Sequence, residues 1–159
     1  MSKMEELAKV SGAMAEVGSV DNLEALMLKE EQVDCPISHH FAPGVYMREM
    51  FAPAGTIIVG HHHKTKHMNI LLKGSMSLVE ADGRVTKMEA PLMFLAEPGR
   101  KCAYVHEDIA FVNVHPTEET DLEIIEATFI EKSAAWEEHH KMLERANQIA
   151  MENAPAKEI

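Results

Sequence analysis

The chain is poor in the residues that would tie it to several function classes. Its two cysteines, Cys35 and Cys102, stand far apart with no C-x-x-C pair, so neither a disulfide framework nor a zinc ribbon is indicated. No apolar run approaches the roughly 20 residues that cross a bilayer. The opening "MSKMEELAKVSGAM" mixes charges among its apolar residues, unlike a secretory signal, and a cytoplasmic protein is expected. Basic residues are outnumbered, 15 Lys and Arg against 26 Asp and Glu, for a net charge of -11. Without a basic stripe to displace counterions, nucleic acid and anionic membranes are not expected partners. There is also no G-x-S-x-G elbow, no suggestive cysteine and histidine pair, and no Walker-type glycine loop. Nucleophilic, dinucleotide and ATP chemistry therefore find no support.

What is present is one domain's worth of core. The 159 residues are 46% hydrophobic, enough for a single globular unit with helical additions at its ends. Apolar residues at spacings of three and four predict helices over Lys3–Val17 and Leu23–Lys29, with Asp21 and Glu24 resembling a capping box. "CPISHHFAPG" reads as a loop. From Val45 onward, "VYMREM", "GTIIVG", "MNILLKG", "SMSLVE", "RVTKME", "LMFLA", "KCAYV", "IAFVNVH" and "DLEIIEATF" read as up to nine short strands. Hairpins are expected at Ala81–Gly83 and at "HED" between Val105 and Ile109. So many short antiparallel strands indicate a small barrel or jelly roll, which hides its sheet edges by closure. After Glu131 a stripe of Trp136, His140, Leu143, Asn147 and Ala150 predicts a C-terminal helix, fraying at "NAPAKEI". The expected divisions are a helical extension over 1–34, a barrel over 35–131, and a helix and tail over 132–159.

Histidine is where the sequence is rich. "VGHHHKTKHMN" holds four histidines within seven residues, between two apolar stretches. Strand side chains alternate faces, so His61, His63 and His67 share one parity with Val59 and Asn69, while His62 falls on the other. Neutral imidazole suits Zn, Fe, Ni or Cu, and a convergent set at a barrel mouth reads as a metal site. A solvated histidine cluster is the bland alternative.

The same stretch resembles the first motif of the cupin superfamily, G-x5-H-x-H-x3,4-E-x6-G. Gly55, His61, His63 and Gly74 match it in spacing, and His67 stands where the family has glutamate. The second motif, G-x5-P-x-G-x2-H-x3-N, is weaker. "EPGRKCAYVHED" brings Pro98 and Gly99 together, with Cys102 at the histidine position and His106 at the asparagine position. The ligand that would complete the site is thus Cys102, His106, or His115 from "NVHPT". His115 is favoured: beyond a tight "HED" turn it would face inward, whereas His106 would sit at the hairpin tip. From about His40 to Phe129, "GVYMRE", "PG-x-K" and "VHPT" also resemble small cupin-like proteins of tailed bacteriophages and prophages, in which His63, His67 and His115 match the typical histidines.

The resemblance implies a mainly β, cupin-type double-stranded β-helix. It also implies a divalent transition metal (Fe, Zn, Mn or Ni) held by His61, His63, His67 and His115, and a homodimer paired through the helical ends. Either a metal-dependent oxygenase, lyase, isomerase or hydrolase or a non-catalytic binding module fits, and host cytoplasm would be the compartment of a phage-encoded chain. Tyr46 and Arg48 share a strand face, and with Asn69, Cys102 and Tyr104 they are candidates to line a pocket for a small, anionic metabolite. Cys102 is more simply a small buried hydrophobe. His39, His40, His139 and His140 are given no role.

Overall fold

The computed structural model describes residues 19–80 and 82–154. The expected helix over Lys3–Val17 and the "PAKEI" end of the tail lie outside these. Helix α1 (Val20–Met27) starts at Ser19, whose hydroxyl accepts from the Asn22 amide. Asp21 and Glu24 do not form the anticipated capping box. Their carboxylates both engage Arg100 instead.

The strands are β1 (Ile37–Ala42), β2 (Val45–Ala52), β3 (Ile57–Val59), β4 (His62–His63), β5 (His67–Val79), β6 (Val85–Glu89), β7 (Leu92–Ala96), β8 (Cys102–Pro116) and β9 (Ile130–Glu131). Helix α2 (Leu122–Phe129) precedes β9, and α3 (Ala134–Glu152) follows it.

Three expectations are corrected. "ISHHFA" is strand β1, because the turn formers act only at its end: Pro43 and Gly44 reverse the chain, with Gly44 at φ 77, and β1 zips onto β2. "HED" is no hairpin, since β8 runs unbroken through it; likewise "MNILLKG" and "SMSLVE" are one strand, β5. "LEIIEATF" is helix α2: the Asp121 side chain accepts from the Glu123 and Ile124 amides, and Ile125 and Phe129, four residues apart, are the buried pair.

The long strands β5 and β8 pair with each other along most of their length, and each takes two further partners within one seven-stranded sheet. The C-terminal part of β8 pairs with β2, and its N-terminal part with β3. The N-terminal part of β5 pairs with β7, and its C-terminal part with β6. Both strands change outer partner at the same level, where the β5–β8 register shifts between Leu71 and Met76. Bulges of this kind bend a pair and increase its local twist. Inward positions accordingly change parity, from Leu71 to Met76 and Leu78. These pack with Ala52, Ala103, Val105 and Ile109 into the core that closes the base of the barrel.

The bend depends on Gly74. Its φ is +79, and a Cβ there would lie 2.2 Å from the Asp108 carbonyl oxygen and 2.7 Å from that of Glu107. Gly83, in the β5–β6 turn, has a similar φ of +83 but open space around its Cβ position. Both substitutions carry the cost of a left-handed backbone, about 1 kcal/mol, and only Gly74→Ala adds a backbone collision. Gly74→Ala is expected to lower unfolding free energy by about 2–4 kcal/mol, and Gly83→Ala by about 1 kcal/mol. Urea denaturation of the two variants side by side checks this, and equal losses would remove the close approach as the cause.

Candidate functional site

A cavity of about 370 Å³ opens at the end of the barrel where β5 starts and β8 ends. That volume is in the range of small-ligand pockets. Its lining comes in successive cross-strand rows, because β2, β8 and β5 lie side by side and present alternate residues inward. Tyr46 pairs with His115, and the His67 ring lies 4.9 Å from that of His115. One row deeper, Arg48 pairs with Asn113, which pairs with Asn69. Deeper again, Met50 pairs with Phe111 and Phe111 with Leu71.

Backbone contacts fix the histidines. His63 exchanges both of its backbone bonds with Gly99, each 2.9 Å, and β4 is held from the other side by β9. The neighbouring Lys64 bonds through its amide to the Phe129 carbonyl and through its ammonium to the Ala127 carbonyl, tying this segment to the end of α2. His67 opens β5, buried against β7. His63, His67 and His115 gather within ring-centroid separations of 4.3, 4.9 and 5.9 Å. His61 also lines the cavity but stands at its rim, edge-on to Trp136 of α3 at 5.1 Å. His62 is exposed and absent from the lining.

Burial favours the neutral form of His61, His63 and His115. Desolvation, and then the neighbouring imidazoles, lower the pKa of His63 to about 3, and burial with His67 and Arg48 lowers His115 to about 4. His61 is also shifted down, mainly by burial. The Nδ1 atoms of His61, His63 and His115 are buried without a hydrogen-bond partner, whereas His67 donates from Nδ1 to the Thr65 carbonyl oxygen at 3.1 Å. In the neutral ring this last bond leaves the Nε2 lone pair of His67 free.

Neutral, closely spaced imidazoles with unsatisfied nitrogens are the donor set a divalent transition metal requires. Two imidazoles on one ion, at the usual metal–nitrogen distance of 2.0–2.1 Å, would have centroids about 4.5–5.5 Å apart. The observed separations bracket that range. The rings nevertheless stack, at 13–32° between planes, so their in-plane lone pairs do not meet at one point. As they stand, no group of three or more His, Cys, Asp or Glu side chains among the described residues is arranged to hold a metal. Sharing an ion takes side-chain rotation.

The alternatives for a completing residue lie elsewhere. Cys102 is in the cavity wall, but it packs with Leu23, Val79 and Tyr104, and burial raises its thiol to about 11. His106 is outside the cavity lining and bonds to the Ser77 hydroxyl at 2.7 Å. Both follow from the unbroken β8, which never makes the hairpin that the sequence suggested. Tyr104 is corrected for the same reason: it packs beneath α1 and not in the cavity. Tyr46, Arg48 and Asn69 do line it. Sequence reasoning missed Asn113, which donates to the Asn69 side-chain oxygen at 2.8 Å, and Phe129, which stacks on His115 at 4.5 Å. It also missed His39, whose Nδ1 lies 2.8 Å from the Tyr46 hydroxyl. Strand alternation through His115 would have flagged Asn113; the other two depended on β1 and α2 being recognised.

The architecture is similar to that of solved structures at low sequence identity. Ectoine synthase from P. lautus aligns with a TM-score of 0.50 and 10% identity, over 66% of this chain and 83% of that one. The fold is a cupin-type double-stranded β-helix. A protein with a double-stranded β-helix domain from Klebsiella pneumoniae gives 0.47 and 20%, over 57% of this chain and 80% of that one. A cupin-2 domain protein from Shewanella frigidimarina gives 0.42 and 10%, over 60% and 91%. At these identities the cupin likeness speaks to fold. No family model matches the sequence, and no curated protein matches it either.

The depressed histidines make a pH prediction. With folded pKa values near 3 and 4 and an unfolded value near 6.5, unfolding takes up protons between those limits. Their contribution is fully present above about pH 6.5 and is lost as pH falls toward the folded values. Metal-free protein should show a falling denaturation midpoint from pH 7 to pH 5, and His63→Gln should flatten that slope. A midpoint unchanged over this range would rule out neutral burial of the pair.

Proposed function

We propose that this cupin-fold chain is a metal-binding protein in which His63, His67 and His115 hold a divalent transition metal, with His61 as a further donor at the rim. The observation that carries the reading is the set of buried imidazole nitrogens without partners, gathered in one cavity. Leaving a buried polar atom unsatisfied costs about 1–3 kcal/mol, which a bound ion would recover. His67 in place of the family's glutamate makes the donor set neutral, so an ion would keep its full charge and favour anionic co-ligands.

Catalysis of a small-molecule reaction within the cavity is the function we favour, as an oxygenase, lyase, isomerase or hydrolase. Fe, Zn, Mn or Ni in such a site would supply Lewis acidity toward a bound oxygen atom. Tyr46 is the protein group suited to hold a proton beside the histidines: its hydroxyl faces His39, and burial raises its pKa.

A second reading, a non-catalytic binding module of the phage accessory kind, rests on the carboxylates. Glu126 is engaged by Lys132, and Glu97 pairs with Lys66 at 3.2 Å, so neither stands ready as a general base. Homodimer formation is proposed through α3, none of whose residues is buried and which leaves Met142, Leu143 and Ile149 exposed. No helix among the described residues is long and apolar enough to cross a membrane.

Metal analysis of untagged protein tests the central claim. The protein should carry close to one equivalent, and His63→Ala and His67→Ala should each cut it at least tenfold; stoichiometric metal retained in both variants would sink the assignment. For enzyme against binding module, natively purified protein is examined for a co-purifying small molecule. Turnover of that molecule supports the enzyme, and recovery of it intact supports the binder.

A further inference from the structure

Among the described residues, Arg48 is the one charged side chain of the cavity lining without an ion-pair partner. It projects from β2 into the middle row, half-buried, between the histidines above and Met50 and Phe111 below. Among the described residues no carboxylate comes within ion-pair distance of it. The acid that influences it is Glu126, and that carboxylate is held by Lys132. The other charges of the lining are similarly spoken for: Glu97 by Lys66, and Lys101 by Glu80 at 3.7 Å. A guanidinium stays protonated in proteins, and a desolvated cation without a counter-charge is costly. A divalent ion in the row above would deepen that cost by adding like charge.

The neighbours of Arg48 in its row are amides. Asn113 sits directly across from it and Asn69 beyond, and the Asn113–Asn69 bond occupies one donor and one acceptor of the four amide functions. The remaining NH2 groups are donors, so this row offers a fork of charge-assisted bonds flanked by neutral ones. Beneath it the lining turns apolar, with Ile58, Met76, Leu78, Ile109 and Phe111.

We infer that the cavity binds a small monocarboxylate with a short apolar tail, its carboxylate on Arg48 beside the Asn69–Asn113 pair and its tail toward Met76, Ile109 and Phe111. The geometry assigns one charge to the ligand because one unanswered cation faces it. This deepens the small-molecule role proposed above, yet the carboxylate site is complete without any ion. Its occupancy can therefore be tested separately from metal binding.

The test is calorimetric titration of chelator-treated full-length protein with hexanoate, 1-hexanol, hexylamine, acetate and inorganic phosphate. Hexanoate is expected to bind about ten- to a hundredfold more tightly than 1-hexanol, the range for a charge-assisted bond, with hexylamine weaker still. Acetate should lose the tail's contribution and phosphate should bind poorly against the apolar wall. Arg48→Gln should bring hexanoate down to the hexanol level, and Arg48→Lys should keep part of the preference, since it retains charge without the fork. Equal affinity for hexanoate and hexanol, no hexanoate binding, or a preference undiminished in Arg48→Gln would overturn the inference. Tighter binding of phosphate than of hexanoate would overturn the carboxylate. The comparison of hexanoate with hexanol in unaltered protein decides the matter even where Arg48→Gln does not fold. Hexanoate binding in a protein that takes up no metal would defeat the metal reading alone, and metal uptake without the hexanoate preference would defeat this one alone.

Discussion

Gly74 and the backbone of Glu107 and Asp108 approach more closely than any side chain would permit, and the rest of the molecule is organised around that contact. Two strands that each change outer partner midway have to bend, and they have to bend together or lose their pairing. The shared bend puts β2 and β7 at one end of the β5–β8 pair, and β3 and β6 at the other. His67 at the start of β5 and His115 near the end of β8 are brought side by side because the two strands are antiparallel and in register above the bend. Residues 48 positions apart in sequence thus share a row without any loop having to place them. A site built on strands in this way is held more firmly than one on loops.

Within the cavity, layering separates side chains of different chemistry. Imidazoles lie nearest the mouth, a guanidinium and two carboxamides occupy the next level, and hydrocarbon fills the base. Desolvation acts on all three, and its effects differ by chemistry. It favours the neutral, donor-ready form of His63 and His115. It raises the free energy of the Arg48 cation, which keeps its charge.

Much of this was legible in the sequence because strand periodicity is a local rule. The spacing of His61, His63 and His67 brings these histidines to one cavity, and the glycine seven residues after His67 carries the bend. The shared face of Tyr46 and Arg48 followed from the same alternation. What failed was anything decided at a distance. "DLEIIEATF" alternates well enough for a strand, yet Asp121 caps it into a helix that lays Ile125 and Phe129 over Tyr46. "HED" is polar enough for a turn, but β5 supplies partners that draw it into continuous pairing, with Ser75 donating to Glu107. Once β8 is unbroken, Tyr104 and His106 fall outside the cavity, while Cys102 stays in its wall, packed against Leu23 and Val79. Glu24 similarly belongs to a tertiary network of Arg100, Ser133 and the Gly60 carbonyl that no local spacing announces.

That network sets the start of α3 beside the cavity, since the Ser133 hydroxyl that bonds Glu24 also caps the helix through the Trp136 amide. Trp136 is the sole tryptophan of the chain, and its indole touches His61 on one side, His140 on another and the Lys132 ammonium at 4.7 Å. Its ultraviolet emission is therefore a local signal. Where most proteins average several indoles over the whole fold, the optical spectrum of this one reports the polarity, charge and occupancy of a single place, the threshold of the histidine cavity.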